Sequence, residues 1–133
     1  MNPNDIRIRQ VYIREVGAPG IIDDSTAALA PPGTYELVVE WEAGATLNAV
    51  PTALHLTVAT RDIFTNAMVG ALTFIDVATV ITNGNPASWR YEYIRGIMPG
   101  NLIADHMYEV SACLVHNAIP LHSHAHSFIF VAY

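Results

Sequence analysis

Apolar and polar residues alternate along most of this chain with a period of two, the pattern of strands that bury one face. The cleanest run is Thr34–Glu42. Tyr35, Leu37, Val39 and Trp41 share one parity; Glu36, Val38, Glu40 and Glu42 share the other. That predicts a half-buried antiparallel strand with an acidic outer face. Thr52–Arg61 repeats the pattern, with Leu54, Leu56 and Val58 inward and His55 and Thr57 outward. Ser88–Arg95 places Trp89, Tyr91 and Tyr93 inward, and Met107–Val115 places Tyr108, Val110, Ala112 and Leu114 inward. His122–Ala132 reads as the last strand. Near the start, Ile6 and Ile8 share a parity that Val11 and Ile13 do not. A strand changes parity only by adding a residue, so a bulge is predicted near Arg9–Gln10, or a switch of sheets there. Ala67–Thr82 is apolar on both parities, with Met68, Leu72 and Phe74 on one side and Val69, Ile75 and Val77 on the other. It is expected to be one long strand, or a pair broken near Asp76, with one face meeting a partner.

Turn-forming residues separate these runs. They include GAPG, DDS and APPG within 17–33, Asn83-Gly84-Asn85-Pro86, Met98-Pro99-Gly100 and Asn117–Pro120. No stretch has a helical period. Seven or eight short strands with turns between them predict an all-β fold, an antiparallel β-sandwich forming a single domain over 1–133. Residues 1–5 are expected to be a loose N-terminus. The two strands of the last third, around Tyr108 and after His122, are expected at the centre of the sandwich.

The segment Leu102-x-x-Asp105-x-x-Tyr108-x-Val110 resembles the tyrosine corner of immunoglobulin-like and fibronectin type III-like domains. The resemblance implies that the Tyr108 hydroxyl turns back onto the preceding bend, and Trp41 fits the central-strand Trp of that class. Antibody domains carry a cysteine pair that this chain lacks. The resemblance implies an immunoglobulin-like fold and no particular activity.

Composition changes the picture on partners. Of 133 residues, 52% are hydrophobic and 14% charged, against about 25% charged in a typical soluble domain. So little charge predicts that some apolar surface is covered by another subunit or partner. Lysine is absent, six Arg face twelve carboxylates, and the net charge is −6. That balance repels phosphate and argues against nucleic-acid binding. The opening MNPNDIRIRQ lacks an apolar signal core, and the longest apolar run is interrupted by Gly70 and Asp76. Neither a secretory signal nor a membrane span is expected, which fits a cytoplasmic protein or part of a particle assembled in the cytoplasm.

The most distinctive chemistry is His122-x-His124-x-His126. On a strand, residues two apart share a face at roughly 6.8 Å, so two imidazoles can converge on one ion such as Zn or Cu. All three cannot do so on a flat strand. His116 is the candidate third ligand across the Asn117–Pro120 turn; His55, His106, Asp105 and Glu109 are others. The alternative is a face of hydrogen-bonded histidines, or a histidine patch at a subunit contact. The single cysteine, Cys113, falls with Glu109 and Ser111 on the face opposite Tyr108. It reads as a small apolar residue, because no base and orienting group can be assigned to it. Glu36, Glu40 and Glu42 read as a solvated face or as partners of Arg90 and Arg95, rather than as an acid–base pair. Trp41, Trp89, Tyr91 and Tyr93 share the parity of core residues, which favours packing over a sugar-binding face. No G-x-S-x-G, H-E-x-x-H or Gly-rich phosphate loop occurs.

These features point to a non-enzymatic structural or interaction module that forms a homo-oligomer or attaches to a larger protein assembly. In size and composition it is similar to the accessory domains of virus particles and other protein shells. Met68, Val69, Leu72, Phe74, Phe128 and Phe130 are the expected contact residues. The alternatives are a metal-binding protein or metalloenzyme on His122, His124 and His116, and a carbohydrate-binding module.

Overall fold

The computed structural model describes residues 6–16, 26–27, 35–44, 52–80, 90–116, 122–126 and 130–132. Its strands are β1 (Ile6–Glu15), β2 (Thr26–Ala27), β3 (Tyr35–Ala43), β4 (Thr52–Asp62), β5 (Phe74–Val80), β6 (Arg90–Ile97), β7 (Met107–His116), β8 (His122–His126) and β9 (Phe130–Ala132). They form an all-β sandwich. One sheet is ordered β1-β3-β6; the other is ordered β2-β9-β7-β4-β5, with β8 also on β7. Every pairing is antiparallel except the two-residue contact of β2 with β9.

The alternation dictates which residues fill the interior. Leu37, Val39 and Trp41 of the smaller sheet face Leu54, Leu56, Val58, Val110 and Leu114 of the larger, and all are buried. The first strand changes register between Ile8 and Gln10, so the predicted bulge is present. There the Ile8 N–H donates to Ser123 Oγ at 2.9 Å, which ties the first sheet to β8 along one side of the sandwich. At the opposite side, the Tyr93 hydroxyl donates to the Asp76 carboxylate, and the Arg95 guanidinium stacks 3.8 Å above the Phe74 ring.

Two expected strands are divided. Ala67–Thr82 is not one long strand and does not break at Asp76. Met68 makes an isolated bridge to Arg61, Gly70–Leu72 forms a 3-10 turn, and β5 begins at Phe74. Residues 81–82 lie outside the described residues. The break follows from Leu72, whose side chain drops into the core. Buried Thr60 holds the turn: its hydroxyl donates to the Leu72 carbonyl at 2.9 Å, and its N–H reaches Thr73 Oγ1 at 3.2 Å. The final strand is also divided, since β8 pairs with Ser111–Val115 and β9 with Met107 and Tyr108. The expected loose N-terminus, residues 1–5, lies outside the described residues.

The bend before β7 forms as the Tyr108 motif implies. Asp105 takes a left-handed φ of 66°, a conformation Asp tolerates better than most residues. The Ile103 N–H then donates to the Tyr108 hydroxyl oxygen at 2.6 Å, and the Tyr108 ring stacks on Phe130 at 5.3 Å.

Candidate functional site

The outer face of the larger sheet is built by the odd positions of β4, β5 and β7. Register aligns Val77, His55 and Val115 in one row, and Ile75, Thr57 and Cys113 in the next. The alternate positions of these strands include the buried Leu54, Leu56, Val58, Ala78, Val110, Ala112 and Leu114, so pleating forces this set outward. Ile75 is 72% exposed, Val77 54% and Val115 37%. Because β5 is the edge of its sheet, Ile75 and Val77 sit where a further strand or a partner surface can approach. The charged pair on this face, Arg61 and Glu109 at 3.7 Å, lies towards one end.

The expected contact residues are distributed differently. Met68 is exposed, but Leu72 and Phe130 are core residues and cannot meet a partner. Val69 and Phe74 are half-buried against the core, Phe74 beneath Arg95. Phe128 lies outside the described residues. Met68 instead borders a groove of about 270 Å³ at one end of the sandwich, with Asp62, Thr65, Asn101 and Ile103.

Beside that groove, His106 Nδ1 lies 2.7 Å from Asp62 Oδ2, and the Phe64 ring packs 5.1 Å from the imidazole. Asp62 Oδ1 accepts the Phe64 and Thr65 N–H groups at 2.9 and 3.3 Å. Burial pushes the Asp62 carboxyl up, but the His106 hydrogen bond and the two backbone donors outweigh it and hold the group below its ordinary value. The pair pins the turn after β4 to the bend before β7, a structural role.

The register also rearranges the histidines. Ser123 Oγ accepts the Ile8 N–H, and the backbone of β8 sets positions 122, 124 and 126 in register with Val115, Cys113 and Ser111; the side chains of these three lie outside the described ones. His116 continues the inward parity of Tyr108 and Leu114 and is buried. His122 and His124, the other members of the expected ligand set of His122, His124 and His116, have side chains outside the described ones. Among the described side chains, no three His, Cys, Asp or Glu are gathered for a metal.

The remaining candidates are structural. Glu42 pairs with Arg7 at 2.5 Å, Glu40 accepts from Gln10, and Glu36 pairs with Arg14 at 2.7 Å. These partners stand on β1, and Arg95 instead lies over Phe74; the Arg90 side chain lies outside the described ones. Trp41 is buried and stacked on Tyr91 at 5.6 Å, and Tyr93 packs on Phe74 at 5.6 Å. Trp89 lies outside the described residues. Burial holds the Cys113 thiol above its ordinary value. Among the described residues no helix is long and apolar enough to cross a membrane.

No protein-family model and no curated protein matches this chain.

Ile75 and Val77 were visible in the sequence as apolar residues on an alternate parity. What the sequence lacked was the register of β5 on β4. Pairing His55 with Val77 and Thr57 with Ile75 shows which parity is outward.

Proposed function

We propose that this chain is a non-enzymatic, immunoglobulin-like interaction module that forms a homo-oligomer or joins a larger protein assembly. The contact is the outer face of its larger sheet. The strand order supports the family resemblance. Counting β1, β3, β4, β5, β6, β7 and β8–β9 as seven strands, the first, second and fifth form one sheet. The fourth, third, sixth and seventh form the other. This is the immunoglobulin constant-domain order with the fourth strand moved beside the third. The Tyr108 corner supports the same reading.

One observation carries the contact: Ile75, Val77 and Val115 are exposed together on one pleated face with little charge among them. Scattered surface apolars need no explanation, but an aligned set at a sheet edge does. The test is the native mass of untagged protein by light scattering after size exclusion. Wild type elutes as an oligomer, and Ile75→Asp/Val77→Asp elutes as a monomer with an unchanged far-UV CD spectrum. A wild-type monomer that captures no assembly partner, or a variant that associates like wild type, overturns the reading. Trp41 is buried and stacked on the half-buried Tyr91, which gives no support to a glycan-binding face.

A further inference from the structure

We infer that β5 is a strand-addition edge for a second copy of this chain, held shut by the Asp76 carboxylate. Where the β5 backbone points follows from the bonds of its neighbour. The Ile63 N–H, next after β4, donates to the Met107 carbonyl of β7 at 2.9 Å. On the other side, the Val69 N–H donates to the Thr60 carbonyl at 2.9 Å. Backbone bonds in an antiparallel sheet alternate sides residue by residue. The odd residues of β4 therefore bond β7, and the even ones bond β5. Leu56 is paired with Asp76, and His55 with Val77. Asp76 thus bonds back to β4, while Ile75, Val77 and position 79 turn their N–H and C=O groups to the free side. Among the described strands β5 is the last of its sheet, and Ile75, Asp76 and Val77 are all exposed.

The chain itself meets the central donor of this edge. Asp76 Oδ1 accepts the Val77 N–H at 2.8 Å, and the other carboxylate oxygen accepts the Tyr93 hydroxyl from β6. Arg95 Nη2 donates in turn to the Tyr93 oxygen at 3.3 Å. Asp76 so occupies the place that a docking strand's carbonyl would take. A charge held at an edge strand is a recurrent guard against pairing. Proline, glycine and lysine are absent from β5, and its register on β4 runs without a bulge, so Asp76 is the guard.

The strand fits its own copy. A two-fold axis at Val77, the middle of the seven-residue strand, pairs β5 with its counterpart end to end. Val77 then faces its own counterpart, Ile75 faces position 79, and Asp76 faces Ala78. Every outward N–H and C=O finds a partner, and apolar Val77 meets apolar Val77 on the outer face. An axis at Asp76 would set two carboxylates opposite each other, so charge chooses the register. These bonds lie in the plane of the sheet, so strand addition leaves the outer face around Val115 free for the contact proposed above.

The experiment separates edge from face. Val115→Asp weakens the face contact and leaves β5 intact, so the edge is read on that background, while the wild-type mass reads the face. In sedimentation equilibrium, Asp76→Ala/Val115→Asp associates at least about tenfold more tightly than Val115→Asp, roughly the worth of one freed backbone bond. Tyr93→Phe/Val115→Asp, which loosens the carboxylate without touching β5, shifts the same way by a smaller factor. Adding Cys113→Ser and Val77→Cys to the Asp76→Ala/Val115→Asp variant lets mild oxidation link two copies, because residues paired across the axis have Cα atoms about 5.5 Å apart. The inference is overturned if Asp76→Ala/Val115→Asp, with an unchanged far-UV CD spectrum, associates no more tightly than Val115→Asp. It is equally overturned if the dimer forms without a cross-link at position 77. Should Asp76→Ala not fold, the Tyr93→Phe variant decides, and association no tighter than that of Val115→Asp overturns the inference.

Discussion

The two outer faces of this sandwich solve the same problem in opposite ways. On the smaller sheet, Val38 shares the outward parity of Glu36 and Glu40, yet it is 0% exposed. Tyr12 and Ile94 flank it in register, with ion pairs along one side and a Gln–Glu hydrogen bond along the other. Arg14 reaches Glu36 and, at 3.5 Å, Glu92; Gln10 meets Glu40. Side chains of the chain itself cover the apolar residue. On the larger sheet the corresponding positions hold Ile75, Val77, Thr57 and Val115, and all four are exposed. A face closed by its own charges has no need of a partner, whereas an open one gains free energy by burial, at about 25 cal/mol per Å² of apolar surface. Most of the charge that this acidic, lysine-free chain carries on its strands stands on the smaller sheet. Low overall charge is thus uneven charge.

The largest effect should come from opening the closed face. Arg14 is almost fully buried and bonded to Glu36, so Arg14→Ala strands two carboxylates and uncovers Val38. The expected loss is about 2–3 kcal/mol, roughly 10 °C in Tm. The native mass should not change. An unaltered Tm would mean that the pairs do not close this face.

Association should respond only on the other side. Ile94→Asp, an exposed residue of the smaller sheet, should leave the dissociation constant within about twofold of wild type. Ile75→Asp/Val77→Asp should raise it roughly 100-fold, about 2.7 kcal/mol. Equal responses in sedimentation equilibrium would remove the distinction between the faces.

Alkali should act on the closed face. Burial first, then the charges of Glu40 and Glu92, push Tyr12 up to about 12 from its ordinary 10.0. The sign follows: a raised folded value favours the protonated phenol. Its stabilisation is therefore complete below pH 10 and is lost as pH rises towards 12. Tyr12→Phe should flatten that limb of a denaturation profile. A profile that keeps its full slope would place the alkaline sensitivity elsewhere.

The smallest effect is expected at Arg61 and Glu109, the half-exposed pair on the open face. Arg61→Ala should cost less than about 0.5 kcal/mol in urea unfolding. A larger cost would show that this face, too, is held by charge.

Period-two alternation alone determined most of the strands and most of the core. Inward parity is a local property of a pleated chain, and Leu37, Trp41, Leu56, Val110 and Leu114 obey it. The bulge at Ile8–Gln10 was equally local, since a change of parity admits few other solutions. The tyrosine corner was legible for the same reason, being a motif of adjacent residues. What the sequence could not contain was the pairing between strands. In Ala67–Val80 both parities are apolar, so periodicity cannot say which side is inward or where the strand breaks. Burial of Leu72 and the bonds from Thr60 decide it. His116 shows the same limit: its pairing with Leu54 places it on the inward side of the sheet, where it is buried. Parity is set within one strand by the pleat, whereas register is set between strands by core packing and hydrogen bonds distant in sequence. The strands and their inward faces were therefore the sequence's to determine, and the open face was decided by the tertiary structure.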